Sequence, residues 1–356
     1  MLNVLAELGS ASWSGEEAVR YEVALEGAAQ VIGWYTELIA REETAGTPDR
    51  AALADWREAR QMWAVRRREL TPLNVDEVAA IYSDGEDLLA EPDEDPPDLA
   101  PRSAVRGPLS DDESELIGTP QAQPIVVIVV GEPGDGKASI TALAREVLNR
   151  RGRPVVIDPD RRTAGATRYV SARRFDVVLE APADFEQAAR EFKAAGYQVE
   201  VAIVAVADAV SRFGVQDRYL RALEAYGCGR LAGDEQPVLR AADALDRAQL
   251  ADVVAVLRPN GDLLYANQRT ADGRWHRQPA GAEAIAAERN RPWTVLESRL
   301  FLEAVATFED RGRSAPVAEI RRQTVEAARA VTALARPLLH PDAVTLQIAT
   351  AGIAAP

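Results

Sequence analysis

The chain has 356 residues, long enough for two domains with cores of useful size. Its formal charge of −15 excludes a general nucleic-acid binder, since a polyanion is repelled everywhere outside local basic patches. One cysteine, Cys228, and two histidines, His276 and His340, exclude a disulfide framework and a thiolate metal cluster, and argue against an ordinary zinc site.

No signal peptide opens the chain and no apolar stretch reaches bilayer length, so a soluble cytoplasmic protein is expected, without a membrane partner. The first part reads as helical. Ser14-Gly15-Glu16-Glu17 is a capping-box start. Tyr21, Leu25, Ala28, Ile32, Tyr35 and Ile39 then recur every three or four residues, the stripe of a helix with one buried face. A turn at Gly46-Thr47-Pro48 leads to a second helix carrying Leu53, Trp56, Ala59, Trp63 and Leu70. Asn74 caps a third, with Val78, Ile81 and Leu88 facing inward. These make a small all-α bundle over residues 14–90. The run Arg66-Arg67-Arg68 reads as a solvated face, with an acidic partner surface as the alternative.

Residues 91–123 are acidic and proline-rich, then polar, which is linker composition. Six β-branched residues follow, Ile125 to Val130, the mark of a parallel-sheet strand buried on both faces. Gly131-Glu132-Pro133-Gly134-Asp135-Gly136-Lys137 fits G-x-x-x-x-G-K, a loop whose backbone N–H groups wrap a nucleotide phosphate. The helix after it offers its N-terminal dipole to the anion, and Lys137 adds a full positive charge. The pattern normally closes with a serine or threonine whose hydroxyl ligates Mg²⁺. Position 138 is Ala138, and Ser139 is rotated by about 100° from that place. Either Ser139 or water supplies the ligand, or metal binding and phosphoryl transfer are impaired.

Strand and helix then alternate: a helix over 139–150, strands at 154–157 and 175–179, a helix over 184–195 and a strand over 199–206. A helix over 215–225 precedes a late strand or hairpin around Asn260-Gly261. The fold class is therefore α/β, a P-loop NTPase-type parallel sheet with flanking helices, preceded by the bundle. Two more amphipathic helices, 297–307 and 317–339, lie near the end.

Chemistry in such a sheet belongs at the strands' carboxyl ends. Asp160 follows a buried strand and can accept a hydroxyl proton, or it is a turn aspartate, a role that suits Asp158 better. Glu180 ends an apolar strand, where an acid is costly unless used or paired. Arg218 and Arg230 lie where arginines can fold over phosphates as a clamp, although each alone reads equally as a surface ion pair.

The ordered set of motifs is more specific. Gly-Glu-Pro-Gly-Asp-Gly-Lys, the strand end Val-Ile-Asp-Pro-Asp, Val-Val-Leu-Glu and Gly-Tyr-Gln-Val-Glu-Val-Ala come first. Val-Gln-Asp-Arg-Tyr-Leu, Gly-Cys-Gly-Arg and Arg-Pro-Trp-Thr around Trp293 follow. Over residues 124–305 the chain resembles the zeta toxin family, P-loop kinases of bacterial toxin–antitoxin systems. The resemblance implies ATP and Mg²⁺ as cofactors and the 3′-hydroxyl of UDP-N-acetylglucosamine as acceptor. It implies nucleotide contacts from Gly131, Glu132, Pro133, Gly134, Asp135, Gly136, Lys137, Ala138 and Ser139, with Ser139 as the remaining hydroxyl near the metal. It also implies Asp160 as general base, Glu180 in the substrate pocket, and Arg218 and Arg230 as the clamp. Two departures stand out. Ala138 replaces the metal-binding hydroxyl, and about twenty residues separate Asp160 from Glu180 where the family places a longer helical insert. Thr163 to Arg174 would span at most ~18 Å as helix, too short to enclose an amino sugar in the same way.

Zeta toxins are restrained by a small helical epsilon antitoxin, so the resemblance gives residues 1–90 the place of a fused antitoxin-like module. The expected organisation is bundle 1–90, linker 91–123, kinase-like domain 124–312 and a C-terminal helix and tail 313–356. Three readings follow: a self-restrained sugar-nucleotide kinase, a catalytically weak nucleotide-binding regulator, or a phosphotransferase on another small hydroxyl substrate. A helical antitoxin acting in trans is the alternative partner.

Overall fold

The computed structural model describes residues 3–9, 13–44, 47–89, 116–157, 164–181, 185–226 and 250–343. Asp158, Asp160, Cys228, Arg230, residues 91–115 of the acidic linker and the tail after residue 343 lie outside them.

Helix α1 (Gly15–Glu43) opens with the capping box: Ser14 Oγ accepts the Glu17 amide, and the Glu17 carboxylate accepts the Ser14 amide. Helix α2 (Arg50–Glu69) is capped by Asp49. Helix α3 (Val75–Leu89) follows Asn74, whose side chain accepts the Glu77 amide at 3.2 Å. The apolar stripes meet as expected, with Tyr21, Ala28, Ile32, Trp63 and Ile81 in one buried cluster. Burying residues of that size stabilises by roughly 1.5–3 kcal/mol each, which is why three helices with short joints hold together. The arginine run departs from the expected solvated face. Arg66 reaches Glu77 and Asp84 on α3, each at 2.7 Å, and Arg67 donates to the Leu25 carbonyl on α1 at 3.4 Å.

Six strands form one sheet, β1 (Ile125–Val130), β2 (Val155–Ile157), β3 (Val177–Ala181), β4 (Gln198–Val204), β5 (Val253–Leu257) and β6 (Leu263–Gln268). Their order is β2-β3-β1-β4-β5-β6, parallel except for the β5–β6 hairpin. Helices on the crossovers cover both faces, so β1 is buried along its whole length. Val126, Ile128 and Val130 face Phe185 and Phe192 of α6 (Phe185–Ala194). Ile125, Val127 and Val129 face Ile140, Leu143 and Leu148 of α4 (Lys137–Asn149). The hairpin turns where expected, with Gly261 at φ +87°.

Several elements carry weaker sequence signals. Helix α5 (Ala164–Arg173) occupies the short stretch before β3, and α7 (Asp208–Tyr226) starts a full two turns before the expected residue 215. Helix α8 (Gly281–Asn290) has no side-chain cap. Helices α9 (Val295–Ser314) and α10 (Ala318–Ala335) pack on α7 around Phe213, Phe301 and Phe308. Residues before α1 also dock: Val4 and Leu5 are buried in the α4-side core, and their amides donate to Glu200 on β4 at 3.1 and 3.0 Å. No helix among the described residues is long and apolar enough to cross a membrane.

Candidate phosphate-binding site and its helical cover

The glycine-rich loop lies between β1 and α4, at the carboxyl end of the strand flanked by β3 and β4, where the sheet order reverses. That crevice is the usual ligand position in an open parallel sheet. Gly134 and Gly136 take left-handed φ of +75° and +83°, and Gly136 sits at the N-cap of α4. A Cβ on Gly134 would come within 2.4 Å of the Ser211 carbonyl oxygen and 2.6 Å of the Val215 amide. The first turns of α7 therefore rest directly on the loop backbone, and Ser211 Oγ donates to the Pro133 carbonyl at 2.7 Å. Lys137 Nζ folds over the loop to the Glu132 carbonyl and to Asp135 Oδ1. Glu132 is 4% exposed and is paired with Arg289 of α8, which also reaches Asp208 at 3.7 Å. Arg289 sits on a helix without strong start signals, so sequence reading missed it.

Arg218 lies one helical turn beyond Gly214, the α7 residue pressed against the loop. Its guanidinium is taken by the bundle: Nη1 meets Glu22 Oε2 at 3.2 Å, and Nε lies 3.9 Å from Glu26 Oε2. Glu22 and Glu26 are one turn apart on α1, and their side chains are 14% and 18% exposed. Glu180 pairs in register with Val129, so both share the α4 face of the sheet. Burial, and then the Glu180 carboxylate, push the Tyr21 phenol on α1 well above its ordinary value. Trp13 donates its indole N–H to Ser139 Oγ at 3.2 Å, and Ser139 is 2% exposed. Ala138 belongs to the bundle's apolar cluster.

Of the residues read from the sequence as site residues, Arg218 is engaged by α1, Ser139 by Trp13 just before that helix, Lys137 by its own loop, and Glu180 lies beside Val129 near the end of β3. Asp160 and Arg230 lie outside the described residues. Trp13, Tyr21, Glu22 and Glu26 were missed as site residues; only the spacing of the two glutamates hinted at a shared role.

The cradle fits a phosphate: its glycines admit no Cβ, and its lysine and helix N-terminus supply positive potential. Among the described residues no group of three His, Cys, Asp or Glu is placed to hold a metal ion. Magnesium bound with a nucleotide takes much of its shell from phosphate oxygens and water, so Ser139 is the hydroxyl this loop offers.

A glycine-rich loop, a β2-β3-β1-β4-β5 parallel core and flanking helices define a P-loop kinase-like domain. The zeta toxin family model matches residues 111–164 and 161–270, and over this region the chain is similar to the zeta toxin family. A solved structure from the PezAT chromosomal toxin–antitoxin system of Streptococcus pneumoniae is similar over 54% of this chain and 87% of that one. Its identity is 16% and its TM-score 0.43, a likeness on which nothing further rests. No curated relative matches the chain.

Proposed function

We propose that the chain is a zeta-type phosphotransferase covered by its own N-terminal helices, with ATP and Mg²⁺ as cofactors and the 3′-hydroxyl of UDP-N-acetylglucosamine as acceptor. Residues 1–90 are the cis module, 91–123 the tether and 124–312 the kinase domain. The observation that carries this reading is the capture of Arg218 by Glu22 and Glu26 directly beside the loop. A clamp arginine neutralised by covering carboxylates cannot stabilise charge on a transferring phosphoryl group. Tethering makes a weak lid effective, since a short linker gives a local concentration of order millimolar.

In this reading Lys137 and the loop amides hold the phosphates, and Asp160 accepts the proton of the attacking hydroxyl. Glu180 orients the sugar, Arg218 and Arg230 offset developing charge, and bound ATP supplies the phosphoryl group. A second reading, a nucleotide-binding regulator with little turnover, draws support from Ala138. Its methyl packs against the bundle, so the position serves the seam in place of a metal ligand.

Truncation is a blunt test, because removing residues 1–90 also strips Val4 and Leu5 from the sheet core and bares Glu200. The full chain and its Glu22→Ala/Glu26→Ala variant, incubated with ATP, Mg²⁺ and UDP-N-acetylglucosamine, are the better comparison. Phosphorylated sugar nucleotide formed faster by the variant is the expected result. ATP binding without product from either protein would discard the kinase reading and leave the regulator.

A further inference from the structure

One of the loop's own acidic side chains turns back onto the loop backbone and its lysine. Asp135 is 2% exposed, and its Oδ1 accepts the Lys137 amide N–H and the Lys137 ammonium, both at 3.1 Å. An amide at the first turn of the helix and the loop lysine are the donors that a phosphate-binding loop of this pattern directs at its anion. The other oxygen, Oδ2, is buried without a hydrogen-bond partner. It lies so close to Gly131 that a Cβ there would sit 1.8 Å from it. An ordinary structural aspartate would have both oxygens satisfied, because a buried acceptor left unpaired is costly. Burial pushes this carboxyl up to about 6, even with Lys137 beside it, while Glu22 on the covering helix adds like charge.

We propose that Asp135 is a built-in competitor for the anion seat, a carboxylate that holds the place of a phosphate oxygen and must swing out before a polyphosphate can enter. The inference rests on the nucleotide-binding reading of the loop and deepens it. Two consequences separate it from a simple brace. A brace strengthens the cradle, so its removal weakens anion binding. A competitor weakens the cradle, so its removal strengthens binding. The carboxylate and a phosphate would also be like charges in a pocket screened from water, where repulsion is far stronger than in bulk.

The test is calorimetric titration of the full chain with inorganic pyrophosphate and with ATP at about pH 8, where an aspartate is ionised. Asp135→Ala and Asp135→Asn are compared with the unaltered chain, and Lys137→Ala reports whether the heat comes from the loop. Both Asp135 variants should bind pyrophosphate at least about tenfold more tightly, with the gain abolished when Lys137→Ala is added. Equal or weaker binding by both, while the unaltered chain takes ATP, would overturn the competitor and leave the nucleotide reading standing. Loss of folding in both variants would make Asp135 a brace and likewise overturn it. No heat from any folded protein with either ligand would remove both ideas together.

Discussion

The Arg218 guanidinium on α7 and the Glu22 carboxylate on α1 meet at 3.2 Å across the seam between bundle and sheet. Both side chains are largely shielded, at 23% and 14% exposure. The pair joins an arginine that the loop region could use to a carboxylate that keeps it from doing so. Its coupling should exceed that of a surface pair and fall below that of a fully buried one. A double-mutant cycle of Glu22→Ala and Arg218→Ala, read by urea unfolding, should give roughly 1–3 kcal/mol. A coupling indistinguishable from zero would mean that the contact does not hold the lid.

The same seam is keyed by Tyr226, whose ring fills the space left by two glycines. A Cβ on Gly27 would fall 2.3 Å from Tyr226 Cζ, and one on Gly85 3.0 Å from Cε1. Gly33, also on α1, has nothing within 4 Å. Helix propensity alone favours alanine at either α1 site by about 1 kcal/mol. Gly33→Ala should therefore stabilise the chain. Gly27→Ala should destabilise it by roughly 1–3 kcal/mol, because an aromatic ring held in a packed seam cannot yield cheaply. Thermal unfolding of the two variants side by side distinguishes packing from propensity.

Ala138→Thr restores a hydroxyl at the loop and at the same time adds bulk where the methyl packs on the bundle. Two effects are expected from one change: tighter Mg²⁺-dependent ATP binding, and a looser seam, with a cost of roughly 1–3 kcal/mol. Titration with and without Mg²⁺ separates them. A variant whose ATP affinity is unmoved by Mg²⁺ would show that the missing hydroxyl is not what limits the site.

Glu200 is fully buried on β4, and burial raises its carboxyl to about 7, although the Leu5 and Val4 amides and Gln198 donate to it. The folded state thus holds a proton that the unfolded chain releases near the ordinary glutamate value of 4.5. The resulting stabilisation is complete below that value and is lost as pH rises through about 7. Melting curves from pH 4.5 to 8 should show the unaltered chain losing ground to Glu200→Gln as pH increases. Parallel curves would rule out titration of this carboxyl in that window.

Much of the architecture was legible in the residues. Six β-branched residues followed by Gly-x-x-x-x-Gly-Lys can hardly be anything but a core strand entering a phosphate loop, because periodicity, burial and turn chemistry agree there. The Ser14–Glu17 capping box and the Asn260-Gly261 turn were equally plain, since each is a local interaction written within four residues. Helix α8 was not legible: it lacks a cap, and its one telling residue, Arg289, acts on Glu132 far back in the chain.

The sequence by itself determined most of the elements, the loop and the candidate residues Lys137, Glu180 and Arg218, because local hydrogen bonding and side-chain periodicity are short-range properties. Only the tertiary structure decided that Glu22 and Glu26 of α1 engage Arg218, that Trp13 donates to Ser139 and that Asp135 turns into the loop. Those relations depend on how two separately encoded apolar faces come together, and no local pattern records the outcome of that packing.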